Sequence, residues 1–178
     1  MKNQLFYVKD FCYIKSKNEI DVSFIPPIQR RKLSKLDKMT LTVMSKIYSD
    51  EIDEIIFASK DGESDRLNTI ISEYKEFGEV SPTQFSASVH NYPVGFFTLI
   101  KKLNIPYYAL SAGEETFYAG LVKSIISEKN VLFVYSDKIS IACIISKNAG
   151  AELVLKKYKA EEFLAELGAK LWDKFAQF

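Results

Sequence analysis

The chain has 178 residues, 47% of them hydrophobic and 26% charged, with a net charge of +1. This length and composition suit one domain, residues 1–178, with a real core. The even charge balance excludes a nucleic-acid binder held by bulk charge, though a local basic patch stays open. No run approaches the ~18 apolar residues of a membrane span, and no apolar segment follows Met1 and Lys2 as a signal peptide requires. Cys12 and Cys143 stand apart without metal-ligand spacing, which suits a reduced, cytoplasmic protein. No metal or cofactor is expected.

In chain order, Leu5 to Ile14 is aromatic and β-branched and predicts a strand. Ile20 to Ile25 alternates as a second extended piece, ended by Pro26 and Pro27. Arg30 to Tyr48 carries apolar residues at helical spacing, from Leu33 to Ile47. Glu54 to Ala58 is a short buried strand, and Lys60-Asp61-Gly62 a turn. Ser64 to Phe77 predicts an amphipathic helix with Leu67, Ile70, Ile71, Tyr74 and Phe77 on one face, stopped by Gly78.

Ser81-Pro82-Thr83-Gln84 has the form of a capping box, with Gln84 reaching back and proline at the first helical position. A turn at Asn91-Tyr92-Pro93 leads into another helix, with Asn91 as its cap. Ile105 to Leu110 is a short aromatic strand opened by Pro106, as an edge strand would be. Ser111-Ala112-Gly113-Glu114 repeats the capping form before a helix from Gly113 to about Glu128. Val131 to Tyr135 and Ile139 to Ser146 predict strands. A turn at Asn148-Ala149-Gly150 predicts a hairpin between the last two strands, the second being Glu152 to Tyr158. Ala160 to Phe178 is a final helix, with Trp172, Phe175 and Phe178 docking on the sheet or, alternatively, onto another subunit. Strands separated by helices mean an α/β layered fold.

The segments SPTQFSASVHNYPVGFFTLI, ALSAGEETFYAGLVKSI and VLFVYSDK, with RRKLSKLDKM and IIFASKDGE upstream, resemble the N-terminal half of β-ketoacyl synthases over Pro26 to Asp137. They are most similar to short chain-length-factor-like proteins of aryl-polyene, polyketide and fatty-acid pathways. The resemblance implies a three-layer thiolase-like half-fold, a mixed sheet of about five strands with helices on both faces. It also implies open surface where the second half would lie. The family sets a nucleophilic cysteine at a helix start, where free N–H groups stabilise a thiolate. The matching position here is at or beside Ser111, with no cysteine nearby. The family's two catalytic histidines belong to the second half, and His90 matches neither.

Several residues therefore carry two readings. Ser111 is either a nucleophile paired with His90 or an N-cap worth about 1 kcal/mol. Glu114 and Glu115 support the cap and place negative charge where an oxyanion would form. His90 and Asn91 either brace the turn or border a vestigial site or acyl pocket. Phe96, Phe97, Tyr107, Tyr108, Phe117 and Tyr118 are core or tunnel. Arg30, Arg31, Lys32, Lys35 and Lys38 form a solvated helix face or, as the resemblance implies, a contact for an acidic acyl carrier protein; positive charge at a helix start runs against the macrodipole.

The expectation is a non-catalytic ketosynthase-like subunit that pairs with a full-length β-ketoacyl synthase through Ser81 to Leu110. Tyr107 and Tyr108 are its anchors, and it would shape the partner's acyl pocket. The alternatives are an acyltransferase or thioesterase using Ser111 with His90, and a structural homodimer without acyl ligand.

Overall fold

The computed structural model describes residues 4–15 and 19–175, with side chains through 170. Six strands, β1 (Leu5–Ile14), β2 (Glu54–Ala58), β3 (Tyr107–Leu110), β4 (Val131–Ser136), β5 (Ser140–Ser146) and β6 (Ala151–Val154), form one mixed sheet in the order β3-β2-β4-β5-β1-β6. β2 runs parallel to β3 and β4, while β5 is antiparallel to β4 and β1. Every residue of β2 is buried, as expected of a strand covered on both faces. Its side chains alternate between two cores: Ile55 and Phe57 enter one, Ile56 and Ala58 the other.

The helices are α1 (Pro27–Arg30), α2 (Lys35–Ile47), α3 (Ser64–Phe77), α4 (Pro82–Ser86), α5 (Tyr92–Lys101), α6 (Thr116–Ile126) and α7 (Ala160–Phe175). α2 and α5 cover one face of the sheet through Met44, Val94 and Phe97. α6 and α7 cover the other through Leu121, Phe163 and Leu167, with Phe117 and Phe163 5.4 Å apart between ring centres. This is the three-layer α/β half-fold, with one strand more than expected. Both sheet faces are thus covered by the chain's own helices. The side chains of Trp172 and Phe175, and all of Phe178, lie outside the described residues.

Three local expectations change. Ile20 to Ile25 forms no strand: Asp21 Oδ1 accepts from the Ser23 N–H at 2.9 Å, and the Ile25 N–H bonds to Val22, turning the chain. The long helix from Arg30 divides into α1 and α2, because Ser34 and Asp37 form a reciprocal capping box that starts a new helix. The last two strands are not a hairpin either. β1 lies between β5 and β6, pairing Tyr7 with Ser146 on one side and Glu152 on the other. Gly150 makes this crossing feasible: its φ is +125°, and a Cβ there would overlap the Val8 carbonyl. The hairpin is instead β4–β5, pairing Ser136 with Ser140.

α3 and α4 form an arm between β2 and α5. Of the apolar stripe of α3, only Ile70 is buried.

Candidate functional site at the ends of the parallel strands

The carboxyl ends of β2 and β3 lie side by side, with Ala58 opposite Leu110. In open α/β sheets such ends carry ligands and chemistry, because the loops leaving them face one side. Here the loops are 59–63 and 111–115, and polar groups lace them together. Ser111 Oγ donates to the Lys60 carbonyl at 2.9 Å. Lys60 Nζ donates to Glu114 Oε1 at 2.5 Å, and this ammonium holds the Glu114 carboxyl below its usual range. Asp137, from the β4–β5 turn, accepts from Ser59 Oγ at 2.9 Å and from the Lys60 N–H at 3.1 Å. Glu115 pairs with Lys157 at 2.7 Å.

His90 meets the Leu110 carbonyl through Nε2 at 3.2 Å. A carbonyl only accepts, so Nε2 carries the proton. The other ring nitrogen lies under Gly62, where an added Cβ would sit 2.6 Å from Nδ1. The ring also packs 5.7 Å from Phe57. Both Ser111 and His90 thus bond to backbone carbonyls, Lys60 and Leu110, and no hydrogen bond joins the two. Asn91 occupies the cap position of α5 but makes no side-chain cap bond.

Ser111 does not cap α6. A 3-10 turn over Gly113–Glu115 intervenes, and Thr116 braces it: its Oγ1 accepts from the Ala112 N–H at 2.8 Å and donates to the Gly113 carbonyl. Ser111 is exposed and Thr116 buried. Replacing Ser111 by alanine should therefore change stability by less than about 0.5 kcal/mol. Thr116→Val should cost about 1–2 kcal/mol. Urea unfolding of both variants checks the assignment, and a larger loss at Ser111 would restore it as the cap. At the other expected box, Ser81 accepts from the Gln84 N–H at 3.5 Å. Gln84 does not reach back, because Arg66 Nη1 donates to its Oε1.

A cleft of about 490 Å³ lies between the 113–117 turn and residues 157–162; Glu114, Glu115, Phe117, Tyr135 and Tyr158 are among its lining residues. Ser111, His90 and Asn91 do not line it. Phe97 and Phe117 are core: Phe97 meets Tyr48 edge-on, and Phe117 meets Phe133 and Tyr135. Tyr107 is half-buried, with its hydroxyl where a Cβ on Gly95 would lie 3.0 Å away, whereas Tyr108 is 46% exposed on the edge strand. In the basic cluster, Arg30 closes the last turn of α1, where positive charge suits the macrodipole, and is half-buried. Arg31 and Lys35 are exposed. None of these three enters an ion pair among the described residues.

One constellation was not foreseen. Asp37, Glu63 and Arg66 are buried together at the root of the arm. Arg66 bonds Asp37 Oδ2 at 2.9 Å and Glu63 Oε2 at 2.8 Å, and Ser34 Oγ donates to Glu63 Oε1 at 2.6 Å. Two carboxylates share one guanidinium, and Asp37 Oδ1 has no hydrogen-bond partner. Burial, then the neighbouring Glu63 carboxylate, pushes the Asp37 carboxyl up to about 7, against the pull of the Ser34 N–H and Arg66. The unfolded value is near 3.9. From about pH 4 to 7 the folded chain holds a proton that the unfolded chain has released, so this contribution to stability falls as pH rises through that window. Urea unfolding at about pH 5 and about pH 8 should show wild type losing stability relative to Asp37→Asn. Parallel pH profiles would contradict it. Ser34-x-x-Asp37 has capping-box form, and Glu63 ends the resembling segment IIFASKDGE, but nothing in the sequence marked Arg66 or joined the three.

The sequence model of the β-ketoacyl synthase N-terminal domain matches residues 9–142, most of the chain. The chain belongs to that family. A solved structure of a ketosynthase (ApeO) in complex with its chain length factor (ApeC) from Xenorhabdus doucetiae matches this ketosynthase-family chain with a TM-score of 0.69 and 23% identity. The match covers 83% of this chain and 81% of that one. The ishigamide ketosynthase/chain length factor matches at a TM-score of 0.57 and 11% identity, over 77% of this chain and 54% of that chain. At such identities the likeness establishes the thiolase-like half-fold, not the activity. Comparison with curated proteins finds no match. No described helix is long and apolar enough to cross a membrane.

Proposed function

We propose that this ketosynthase-family chain is a non-catalytic, chain-length-factor-like subunit that pairs with an active β-ketoacyl synthase and shapes its acyl pocket. The observation that carries the reading is the turn from β3 into α6. The family places its nucleophile there, and this chain has an exposed serine bonded to a backbone carbonyl. Cys12 and Cys143 lie within β1 and β5 instead, and burial raises both thiols above their usual range. A buried, protonated thiol is a poor nucleophile. The solved neighbours that share this fold include a ketosynthase paired with a chain length factor. The reaction served is polyketide or fatty-acid-type chain elongation, of which aryl-polyene synthesis is one case, in the cytoplasm.

Co-expression with a full-length β-ketoacyl synthase should give a joint peak in size-exclusion chromatography. The chain alone should form no adduct with acyl thioesters by intact mass. A stable adduct lost in Ser111→Ala would instead establish the acyltransferase or thioesterase reading.

An acyl carrier protein is the second partner, docked on Arg31 and Lys35 with Arg30 beneath. These cations extend from the α1–α2 turn without ion-pair partners among the described residues. Reversing all three should weaken carrier binding, and added salt should narrow the difference, since screening acts beyond about 8–10 Å. Equal affinity of wild type and the reversal would leave a solvated face.

A further inference from the structure

The arm presents an apolar face that nothing among the described residues covers. Leu67, Ile71 and Tyr74 recur at i, i+4 and i+7 along α3, and Phe77 follows one turn later. Their exposures are 45%, 43%, 59% and 68%. α4 packs beside α3 and exposes Phe85 by 61%. Large apolar side chains scattered singly need no explanation, but a contiguous set on one helix marks an interaction site. The arm is also firmly seated. Arg66 ties its root to Asp37 and to the Lys32 carbonyl, and His90, just beyond α4, bonds the Leu110 carbonyl. The stripe is therefore presented by an element tied at its root to Asp37, and it is this root, where His90 lies against Gly62, that meets the carboxyl end of β3.

We propose that this stripe is a second part of the surface that receives the ketosynthase subunit. The inference rests on the pairing reading and names a contact that the β3 edge alone does not supply. A stable interface removes roughly 800 Å² from each partner. β3 offers four residues, of which Tyr108 is the exposed one. More surface is needed, and the stripe is exposed apolar surface on an arm whose root meets the carboxyl end of that edge.

The charges around the stripe select the partner. Glu73, Glu76 and Glu79, with Lys75 among them, surround its C-terminal end and leave it net negative, and Asp65 stands at its N-terminal end; none of the four acids is in an ion pair among the described residues. Two copies of this chain meeting face to face would oppose acid to acid whether the helices ran parallel or antiparallel, and like charges disfavour that pairing. The complement is an apolar groove on the ketosynthase, rimmed by lysine and arginine.

The test uses the full chain and a full-length β-ketoacyl synthase, with affinity measured by calorimetry and the thermal midpoint recorded for each variant. Ile71→Glu with Tyr74→Glu should weaken the complex at least ten-fold at an unchanged midpoint, since both side chains are exposed. Glu73→Lys with Glu76→Lys should weaken it less, with the gap to wild type closing in high salt. Wild-type affinity in Ile71→Glu/Tyr74→Glu, while Tyr108→Asp fails to bind, would overturn the arm contact and leave the pairing reading standing. Failure of the wild-type chain to bind any ketosynthase would remove the pairing reading and this contact together. Self-association of the wild-type chain, abolished by Ile71→Glu/Tyr74→Glu, would assign the stripe to a second copy and overturn the ketosynthase as its occupant.

Discussion

Replacing Arg66 by methionine is expected to cost about 3–5 kcal/mol of stability near neutral pH, the usual penalty for leaving buried charge uncompensated. The Asp37 side chain is 0% exposed, that of Glu63 2% and that of Arg66 10%. Methionine keeps an aliphatic stem and gives up the guanidinium, which lies 5.9 Å from the Tyr92 ring centre, so the loss chiefly reports charge. For a chain of this size a loss of that order lowers the melting temperature by roughly 10 °C. The deficit should shrink at acid pH, where both carboxyls can protonate, and Asp37→Asn with Glu63→Gln should recover much of it in the methionine background. An unchanged melting temperature would mean that water or backbone groups, not Arg66, compensate the two carboxylates.

Tyr108→Asp should weaken the complex with a ketosynthase at least ~30-fold, since an interface aromatic anchor is worth about 2 kcal/mol or more and a carboxylate would have to be desolvated beside it. The free chain should stay folded. Tyr108 is half exposed on the edge strand, and Lys123 Nζ lies 4.8 Å from its ring centre, close enough to receive the new carboxylate. Tyr107 is the poorer probe, because its side chain packs beneath α5 beside Gly95 and belongs to the core it would disrupt. Size-exclusion chromatography and a thermal melt of the variant separate the outcomes. A joint peak with Tyr108→Asp would remove the β3 edge from the interface.

Much of the candidate site was legible only as position. Ser111 was placed at a helix start because S-x-x-E commonly caps, and that pattern is blind to a 3-10 turn between Ser111 and Thr116. Gln84 was paired with its own cap because the pattern is local, whereas its oxygen serves Arg66 from the neighbouring helix. Lys60 was read only as a turn residue, and it and Asp137 lay in the resembling segments IIFASKDGE and VLFVYSDK with no role assigned. They became part of the site when β2 and β4 paired in parallel and set their loops together. His90 and Asn91 stood out as the one histidine and a turn residue, but spacing could not reveal that the His90 ring lies under Gly62.

The chain's own pattern determined the α/β class, the bounds of β1, β2 and α3, the Gly78 stop and the family. These follow from side-chain period and from residues with one conformational role, both carried within a few positions. Tertiary structure alone decided which strands are neighbours. β1 and β6 pair across more than a hundred and forty residues, as Tyr7 with Glu152 shows, and no local pattern encodes a partner so distant. It also decided which side of α3 is wet. The stripe of α3 has the spacing of a core-facing helix, yet of it only Ile70 is buried, and it belongs to neither sheet core; α2 and α5 fill that face of the sheet. Hydrophobic period states that a face can be buried; what buries it depends on the rest of the fold and on any partner brought to it.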